Sequence, residues 1–142
     1  MLTTTMPTKL TAVVAIAVCA LVATMPASAH LAFAAEFDVN QPITLKGVMT
    51  QWDMVNPHSW FHIDVEGPDG EVVSWMVEGG SPNTLIRMGI TKNTVQAGQE
   101  LTIEGYQAKD GSDKAVGRNF VLPDGTRLFV GGSAPGADGG GR

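Results

Sequence analysis

The sequence contains little cysteine and fewer basic than acidic residues. Its one cysteine, Cys19, lies in an apolar segment near the start of the chain. If that segment is removed, disulfide bonds, thiolate catalysis and cysteine-based zinc sites are excluded. Lys and Arg number 9 against 14 Asp and Glu. Because nucleic-acid binding depends on neutralising phosphates, we expect no nucleic-acid partner for so acidic a chain.

The sequence also lacks an apolar run long enough to cross a membrane, which needs about 20 residues. Residues 10–24 are apolar and uncharged, Lys9 precedes them, and Ala27-Ser28-Ala29 offers small residues for cleavage. This pattern predicts a signal peptide over residues 1–29, cleaved before His30. The alternative, a short membrane anchor, is disfavoured by the length of the run. We therefore expect a periplasmic or secreted protein without stable membrane insertion.

Residues 51–66 contain two of the three tryptophans and two of the three histidines. From Ser59 onward the apolar residues alternate with the others, which predicts a strand with one buried face. The apolar side carries Phe61, Ile63 and Val65, and the predicted outer face carries His58, Trp60, His62, Asp64 and Glu66.

Residues 67–70, Gly-Pro-Asp-Gly, predict a hairpin with a three-residue loop and a glycine bulge. If Gly67 lies opposite Glu71, every pair on the inner face of the hairpin is apolar, so this register is favoured. On the outer face it places His62 opposite Met76, Asp64 opposite Ser74 and Trp60 opposite Glu78.

The remaining elements are predicted from strand patterns, turn residues and one capping signal. A first strand covers residues 43–52, with a bulge at Gly47 that shifts the inward set to Val48, Thr50 and Trp52. Ser81 and Pro82 predict the N-cap and first position of a short helix that covers residues 83–88. Further strands cover residues 100–107, 115–122 and 128–130, with a second bulge at Gly105. Residues 30–42 form an N-terminal arm anchored by Phe33 and Phe37, and the glycine-rich residues 131–142 are predicted to be disordered.

Three strands, a short helix and two or three more strands follow the order of an OB-like Greek-key barrel. We therefore predict an all-β fold with one short helix, forming a single small barrel domain over residues 43–130. A small β-sandwich with the same strands is the alternative.

Several short motifs make the chain resemble a family of small exported bacterial proteins known only as a domain of unknown function. The motifs are Ala35-Glu36-Phe37-Asp38, Trp52 followed by Asn56-Pro57-His58, Gly80-Ser81-Pro82-Asn83 with Leu85, Arg87 and Gly89, Ala108-Lys109-Asp110-Gly111-Ser112, and Leu122-Pro123-Asp124-Gly125. The resemblance implies an exported protein and this fold. It implies no catalytic residue.

The sequence favours a binding module over an enzyme. It has neither a Gly-x-Ser-x-Gly elbow nor a His-Glu-x-x-His motif, so we expect no catalytic residue, and a hydrolytic enzyme is the least favoured class. A small ligand or a metal ion is expected on the face of strands two and three, because OB-like barrels use that face. The ligand-binding candidates are Trp60, Asp64, Glu78 and Asn56. The alternative is a structural or protein-interaction module of the cell envelope with no metal.

The metal candidates are His62, Met76, His58 and His30. Opposed residues on antiparallel strands have Cβ atoms about 5 Å apart, so His62 and Met76 are expected to share a soft ion, with copper(I) favoured. The pattern resembles that of periplasmic copper and silver chaperones. His58 lies about 13 Å from His62 along the strand, so it is not expected to join the same site. If the corner at Pro57 bends it away, His58 would instead meet the amine and imidazole of His30 in a harder copper(II) site.

Overall fold

The computed structural model describes the backbone of residues 25–131 and the side chains of residues 31–131. Most of the predicted signal peptide, the side chain of His30 and the predicted tail beyond Gly131 lie outside the described residues. Gly131 itself is buried.

Six strands and two helices make up the described residues. They are α1 (Met25–Glu36), β1 (Phe37–Asp53), β2 (Trp60–Glu66), β3 (Val72–Glu78), α2 (Pro82–Arg87), β4 (Glu100–Ala108), β5 (Lys114–Val121) and β6 (Arg127–Phe129).

The strands form one sheet in the order β3-β2-β1-β4-β5-β6, in which each neighbouring pair is antiparallel. A short parallel pairing between β3 and β5, from Met76 to Glu78, closes the sheet into a ring. The predicted all-β class with a short helix is confirmed, and the ring-like sheet is consistent with a small barrel or sandwich of the expected kind. The helix that precedes β1, α1, was not predicted.

The predicted register of the β2–β3 hairpin is confirmed. The Gly67 amide donates to the carbonyl of Glu71 at 2.8 Å, and Gly70 has a φ of 82°, which completes the three-residue loop. Each predicted cross-strand pair is present, including His62 opposite Met76. The outward side chains of β2 are therefore in the predicted positions.

The core lies on the inner face of β2 and β3. Phe61 is completely buried and stacks on Trp52 with ring centroids 4.8 Å apart. It also meets Phe120 of β5 edge-on at 4.7 Å. Helix α2, between β3 and β4, contributes the buried side chain of Leu85 to the same cluster.

Strand β1 carries its bulge at Thr50, so the predicted bulge at Gly47 was wrong. The regular alternation continues through Gly47 to the buried Met49, and the register shifts only after it. Val48 and Thr50 consequently point to solvent. Gly47 has another role, because a Cβ there would lie 2.3 Å from the backbone oxygen of Asp64. Its small size permits close strand contact rather than a bulge.

The N-terminal part of the chain is more ordered than an arm. Helix α1 runs directly into β1, which begins at Phe37 instead of the predicted residue 43. Phe33 and Phe37 are buried in a second cluster, where Phe33 meets Tyr106 edge-on at 5.8 Å. A register shift of the β4–β5 pair next to Gly105 matches the second predicted bulge.

The inner face of β2 should dominate the free energy of unfolding. We expect Ile63→Ala to lower it by about 2–5 kcal/mol, because Ile63 is 0% exposed and a cavity would remain. The matched control is Ile86→Ala on α2, where the isoleucine is 49% exposed and the loss should be well under that. Chemical denaturation measures both, and equal losses would contradict the assignment of the buried face.

Candidate functional site

The outer face of β2 is built around one row of residues that crosses three strands. Trp60 lies opposite Asp53 of β1 on one side and opposite Glu78 of β3 on the other. Two histidines flank this row. His62 lies in β2, and His58 lies in the corner before β2, residues 54–59. We call His58, His62, Asp53, Glu78 and Trp60 the histidine–carboxylate face.

His62 is held by a carboxylate from β1. Its Nε2 lies 2.9 Å from Oδ2 of Asp53. Asp53 is the diagonal neighbour of His62, because the residue directly opposite His62 is Gln51. Gln51 in turn donates its side-chain amide to Oδ1 of Asp53 at 2.6 Å. Hydrogen bonds from Gln51 and then His62 hold the pKa of Asp53 below its ordinary value of 3.8, so this carboxyl is ionised at neutral pH.

An ionised carboxylate only accepts hydrogen bonds, so the bonded ring nitrogen of His62 must carry the proton. Nε2 is therefore the donor, and Nδ1 of the neutral ring keeps a lone pair. The described residues provide no hydrogen bond to Nδ1. A ring fixed in this way can ligate a metal ion or accept a hydrogen bond.

His58 is held in the same manner from the other side. Its Nδ1 lies 2.9 Å from Oε1 of Glu78 on β3. Glu78 is again the diagonal neighbour, since Ser59 pairs with Gly79 through the bond from the Gly79 amide to the Ser59 carbonyl. The two histidines thus use opposite ring nitrogens for their carboxylates. Nε2 is the ring nitrogen of His58 that remains for a ligand.

Glu78 is buried, with an exposure of 3%, although it was predicted on the solvent-facing side. The register was correct, and the burial comes from elements distant in sequence. Helix α1 and the start of β1 cover this end of the outer face, where Glu36, Phe37 and Glu78 border one cleft. A buried carboxylate needs a partner, and the imidazole of His58 provides one.

The cleft between α1 and the corner before β2 has a volume of about 270 Å³. Asn56, His58, Trp60 and Glu78 all border it, so three of the four predicted ligand-binding residues meet here together with one predicted metal ligand. Asn56 is joined to Pro57 by a cis peptide bond. The fourth, Asp64, lies elsewhere and accepts a hydrogen bond from Ser74 at 2.6 Å.

Lys114 of β5 joins the cleft to α1. Its ammonium lies 4.9 Å from the centroid of the Trp60 ring and 6.0 Å from that of Phe37, and it pairs with the carboxylate of Glu36. The cation–π partner of Trp60 is therefore a lysine of the same chain. Lys109 adds two hydrogen bonds to α1, from its side chain to the carbonyl of Ala34 and from its backbone amide to the carbonyl of Glu36 at 2.9 Å.

His62 and Met76 form a close pair on the open part of the face. The Met76 amide donates away from β2, to the carbonyl of Asp113 at 3.0 Å. The pair is therefore of the non-hydrogen-bonded kind, in which Cα atoms are about 4.5 Å apart and side chains are nearest. Met76 is 41% exposed. The pair can be reached by an ion from solvent.

The metal candidates are only partly brought together. His62 and Met76 are opposed, whereas His58 is turned toward Glu78 and the cleft. The side chain of His30 lies outside the described residues, so its predicted meeting with His58 stays a prediction. Among the described residues, no three His, Cys, Asp or Glu side chains are grouped closely enough to hold a metal ion.

Sequence reasoning missed Asp53, Gln51, Glu36 and Lys114. Asp53 lies one residue beyond the predicted first strand, residues 43–52, although the alternation after Trp52 would have allowed it one more strand position. Its contact with His62 depends on the β1–β2 register, which no hairpin turn in the sequence specifies. Glu36 and Lys114 are 78 positions apart, and no local pattern relates them.

The fold and this face define a small β-sheet protein with a helix before its first strand and a histidine–carboxylate face on its first three strands. The chain belongs to the Family of unknown function (DUF6152), whose model matches residues 17–118. No curated protein matches the chain. Within the described residues, neither helix has the length and apolar content that a membrane crossing requires.

The hydrogen bonds to Asp53 should be visible in its titration. Because they lower the pKa of Asp53 in the folded protein, Asp53 stabilises the fold above pH 3.8, and this contribution is lost as the pH falls through the lower folded value. We expect Gln51→Ala to move the pKa of Asp53 up toward 3.8, measured by carboxyl ¹³C NMR. Gln107→Ala, whose amide bonds to backbone carbonyls elsewhere, is the control. A wild-type midpoint at or above 3.8 would contradict the geometry.

Proposed function

We propose that this protein is an exported, non-catalytic binding module that takes copper(I) between His62 and Met76. The observation that carries the proposal is the position of Asp53, whose Oδ2 lies 2.9 Å from Nε2 of His62. Because this contact uses Nε2, Nδ1 of His62 can act as a ligand on the face that also carries the Met76 thioether. The proposal extends the family membership, which by itself assigns no ligand.

The donor set suits a soft cation. Thioether sulfur selects copper(I) among the common biological metals, and imidazole binds copper in either oxidation state. Metal-binding histidines usually donate their second ring N–H to a carboxylate, and Asp53 has that position here. Gln51 orients the carboxylate in turn, through its amide bond to Oδ1. Two ligands, of which His62 is oriented by Asp53, are compatible with the low coordination numbers that copper(I) adopts.

The charges around the pair also favour a cation. Asp53 is ionised and bonded to the ring of His62, so the imidazole lies next to a negative charge. Lys114 is the neighbour of Met76 on β5, but its ammonium is paired with Glu36 and lies over Trp60. Glu36 therefore compensates the positive charge of Lys114 in the protein without a bound ion.

Export is part of the proposal. Residues 1–29 have the charged start, the short apolar run and the small residues of a signal peptide. The mature chain would begin at His30 in the periplasm or outside the cell. Material for any binding test should therefore be purified from the periplasm, with an intact mass that starts at His30.

The absence of catalysis is proposed from the partners of the two histidines. The recorded side-chain partner of each imidazole is a carboxylate, Asp53 for His62 and Glu78 for His58. An acid–base pair of this kind still needs a nucleophile or a bound water to attack a substrate. The described residues give neither imidazole a nucleophilic side chain at hydrogen-bond distance. Orientation of a bound ion or ligand is the role that these two contacts support.

Copper(I) affinity should depend on both ligands and on Asp53. We expect anaerobic titration against a chromophoric copper(I) chelator to show one tight site, lost in the His62→Ala, Met76→Leu double variant. Asp53→Asn should weaken binding about 10- to 100-fold, because the imidazole would no longer be held by a charge. Trp60 lies two positions from His62, so tryptophan emission should report the same event.

The controls use equivalent residues away from the pair. Met88→Leu removes a methionine that is 43% exposed at the C-cap of α2, and His58→Ala removes the other histidine of the face. Both should bind copper(I) as wild type does. If the double variant also binds like wild type, or if only His58→Ala loses the ion, the pair is not the site. If no variant, wild type included, binds copper(I), the envelope interaction module replaces the proposal.

A further inference from the structure

We propose that the free edge of β3 is a dimerisation surface, on which a second copy of this chain adds its own β3 as an antiparallel strand about a two-fold axis at Val73. The surface is formed by residues 72–74, at the start of β3. Two features carry the inference: backbone groups along this edge that have no partner and complement themselves, and a local sequence that favours strand pairing.

The first half of β3 is hydrogen-bonded along one edge only. Residues of this strand point their backbone groups alternately toward β2 and away from it, and the Met76 amide points away, to the carbonyl of Asp113. Val72 and Ser74 have the same orientation as Met76, but the pairing with β5 begins only at Met76. In the described part of the chain, the amides and carbonyls of Val72 and Ser74 have no backbone partner. A strand of another chain can therefore bond to them.

The sequence of this segment favours strand pairing. Natural edge strands commonly carry a lysine, a proline or a bulge that discourages it. Residues 72–77, Val-Val-Ser-Trp-Met-Val, contain no charge, no proline and no glycine, and their register with β2 is regular. Val72 is 58% exposed and Val73 is 38% exposed, so apolar side chains accompany the edge on both faces of the sheet. A neighbouring strand would cover both of them.

The free backbone groups are self-complementary, which favours a second copy as the partner. With a two-fold axis at Val73, Val72 of one copy lies opposite Ser74 of the other, and the two residues exchange both of their hydrogen bonds. The axis creates the same pair a second time, so each free amide and carbonyl of Val72 and Ser74 gains a partner. The two Val73 residues form the non-hydrogen-bonded pair between them, in which side chains are nearest.

The neighbouring symmetric registers conflict with bonds that the chain already makes. An axis at Ser74 would pair Val72 with Met76, whose amide is bonded to the loop before β5. An axis at Val72 would pair Ser74 with Gly70, whose amide closes the loop of the β2–β3 hairpin. The hydrogen bonds within one copy therefore select the axis at Val73.

The charges near this axis permit self-association, although the chain is acidic with a formal net charge of -5. Glu71, the charged residue just before the segment, lies opposite the neutral Trp75 of the second copy. Glu78, the next charged residue of β3, lies beyond the paired segment. The register thus opposes no like charges, and its short length predicts a weak dimer.

The dimer is tested first by removing one backbone donor. Sedimentation velocity of metal-free protein should show a dimer fraction that rises from about 10 μM to about 1 mM. Ser74→Pro removes the amide donor of the edge, and we expect it to weaken the dimer about tenfold or more. Ser74→Ala is the matched control, because it also loses the side-chain bond to Asp64 but keeps the amide. It should dimerise as wild type does.

The position of the axis is tested by charges at Val73. Val73→Lys and Val73→Glu should each be monomeric alone, because each would oppose two like charges, and an equimolar mixture of the two should recover the dimer. Val39→Lys, at a β1 position that is 48% exposed, is the control and should dimerise as wild type does. The exposed Val73 variants keep the test valid if Ser74→Pro fails to fold.

Three results would overturn the inference: a wild type that is monomeric over the whole concentration range, a dimer that persists in Val73→Lys, or a mixture of the Val73→Lys and Val73→Glu variants that stays monomeric. The result is independent of the copper proposal. The His62→Ala, Met76→Leu double variant should dimerise as wild type does, and Val73→Lys should still bind copper(I).

Discussion

Strand β2 is hydrogen-bonded along both edges, and the burial of its inner side chains is the constraint on which the other features depend. Phe61 and Ile63 are completely buried between β1, β3 and the core behind them. A slip of one residue against either neighbour would expose both, at about 1.5–3 kcal/mol each. The same register fixes His58, Trp60 and His62 on the opposite side. The stability of the sheet thus positions the face.

The two ends of that face differ because α1 covers only one of them. At the open end, Asp53 is partly exposed and orients His62 beside a solvent-accessible methionine. At the covered end, Glu78 is buried and orients His58 beside a cleft with aromatic and aliphatic walls. At both ends a carboxylate lies diagonal to a histidine and bonds to one of its ring nitrogens. The other nitrogen is Nδ1 for His62 at the open end and Nε2 for His58 at the covered end. A soft ion suits the first environment.

The features that were predicted correctly depend on interactions between residues close together in the sequence. The period of two in β2 and the Gly-Pro-Asp-Gly turn were enough to predict each cross-strand pair of the hairpin, including His62 with Met76. Ser81 and Pro82 likewise predicted the start of α2. These features depend on backbone conformation and burial within one continuous stretch, which a single sequence displays.

The features that could not be predicted depend on contacts between residues far apart in the sequence. The burial of Glu78 depends on α1, which docks through Phe33 and through the pairing of Glu36 with Lys114. The bulge was placed at Gly47 because glycine commonly marks one, yet Gly47 is required for close approach to Asp64. The contact of Asp53 with His62 needed the β1–β2 register, which no tight turn encodes.

The tautomers of the two histidines test the account most directly, since the geometry of the histidine–carboxylate face rests on which ring nitrogen each carboxylate holds. Long-range ¹H–¹⁵N correlation spectra, recorded at mildly alkaline pH, distinguish the protonated from the unprotonated ring nitrogen. The account predicts that His62 carries its proton on Nε2, bonded to Asp53, and that His58 carries its proton on Nδ1, bonded to Glu78. The same tautomer in both rings, or rapid exchange between tautomers in either, would contradict it.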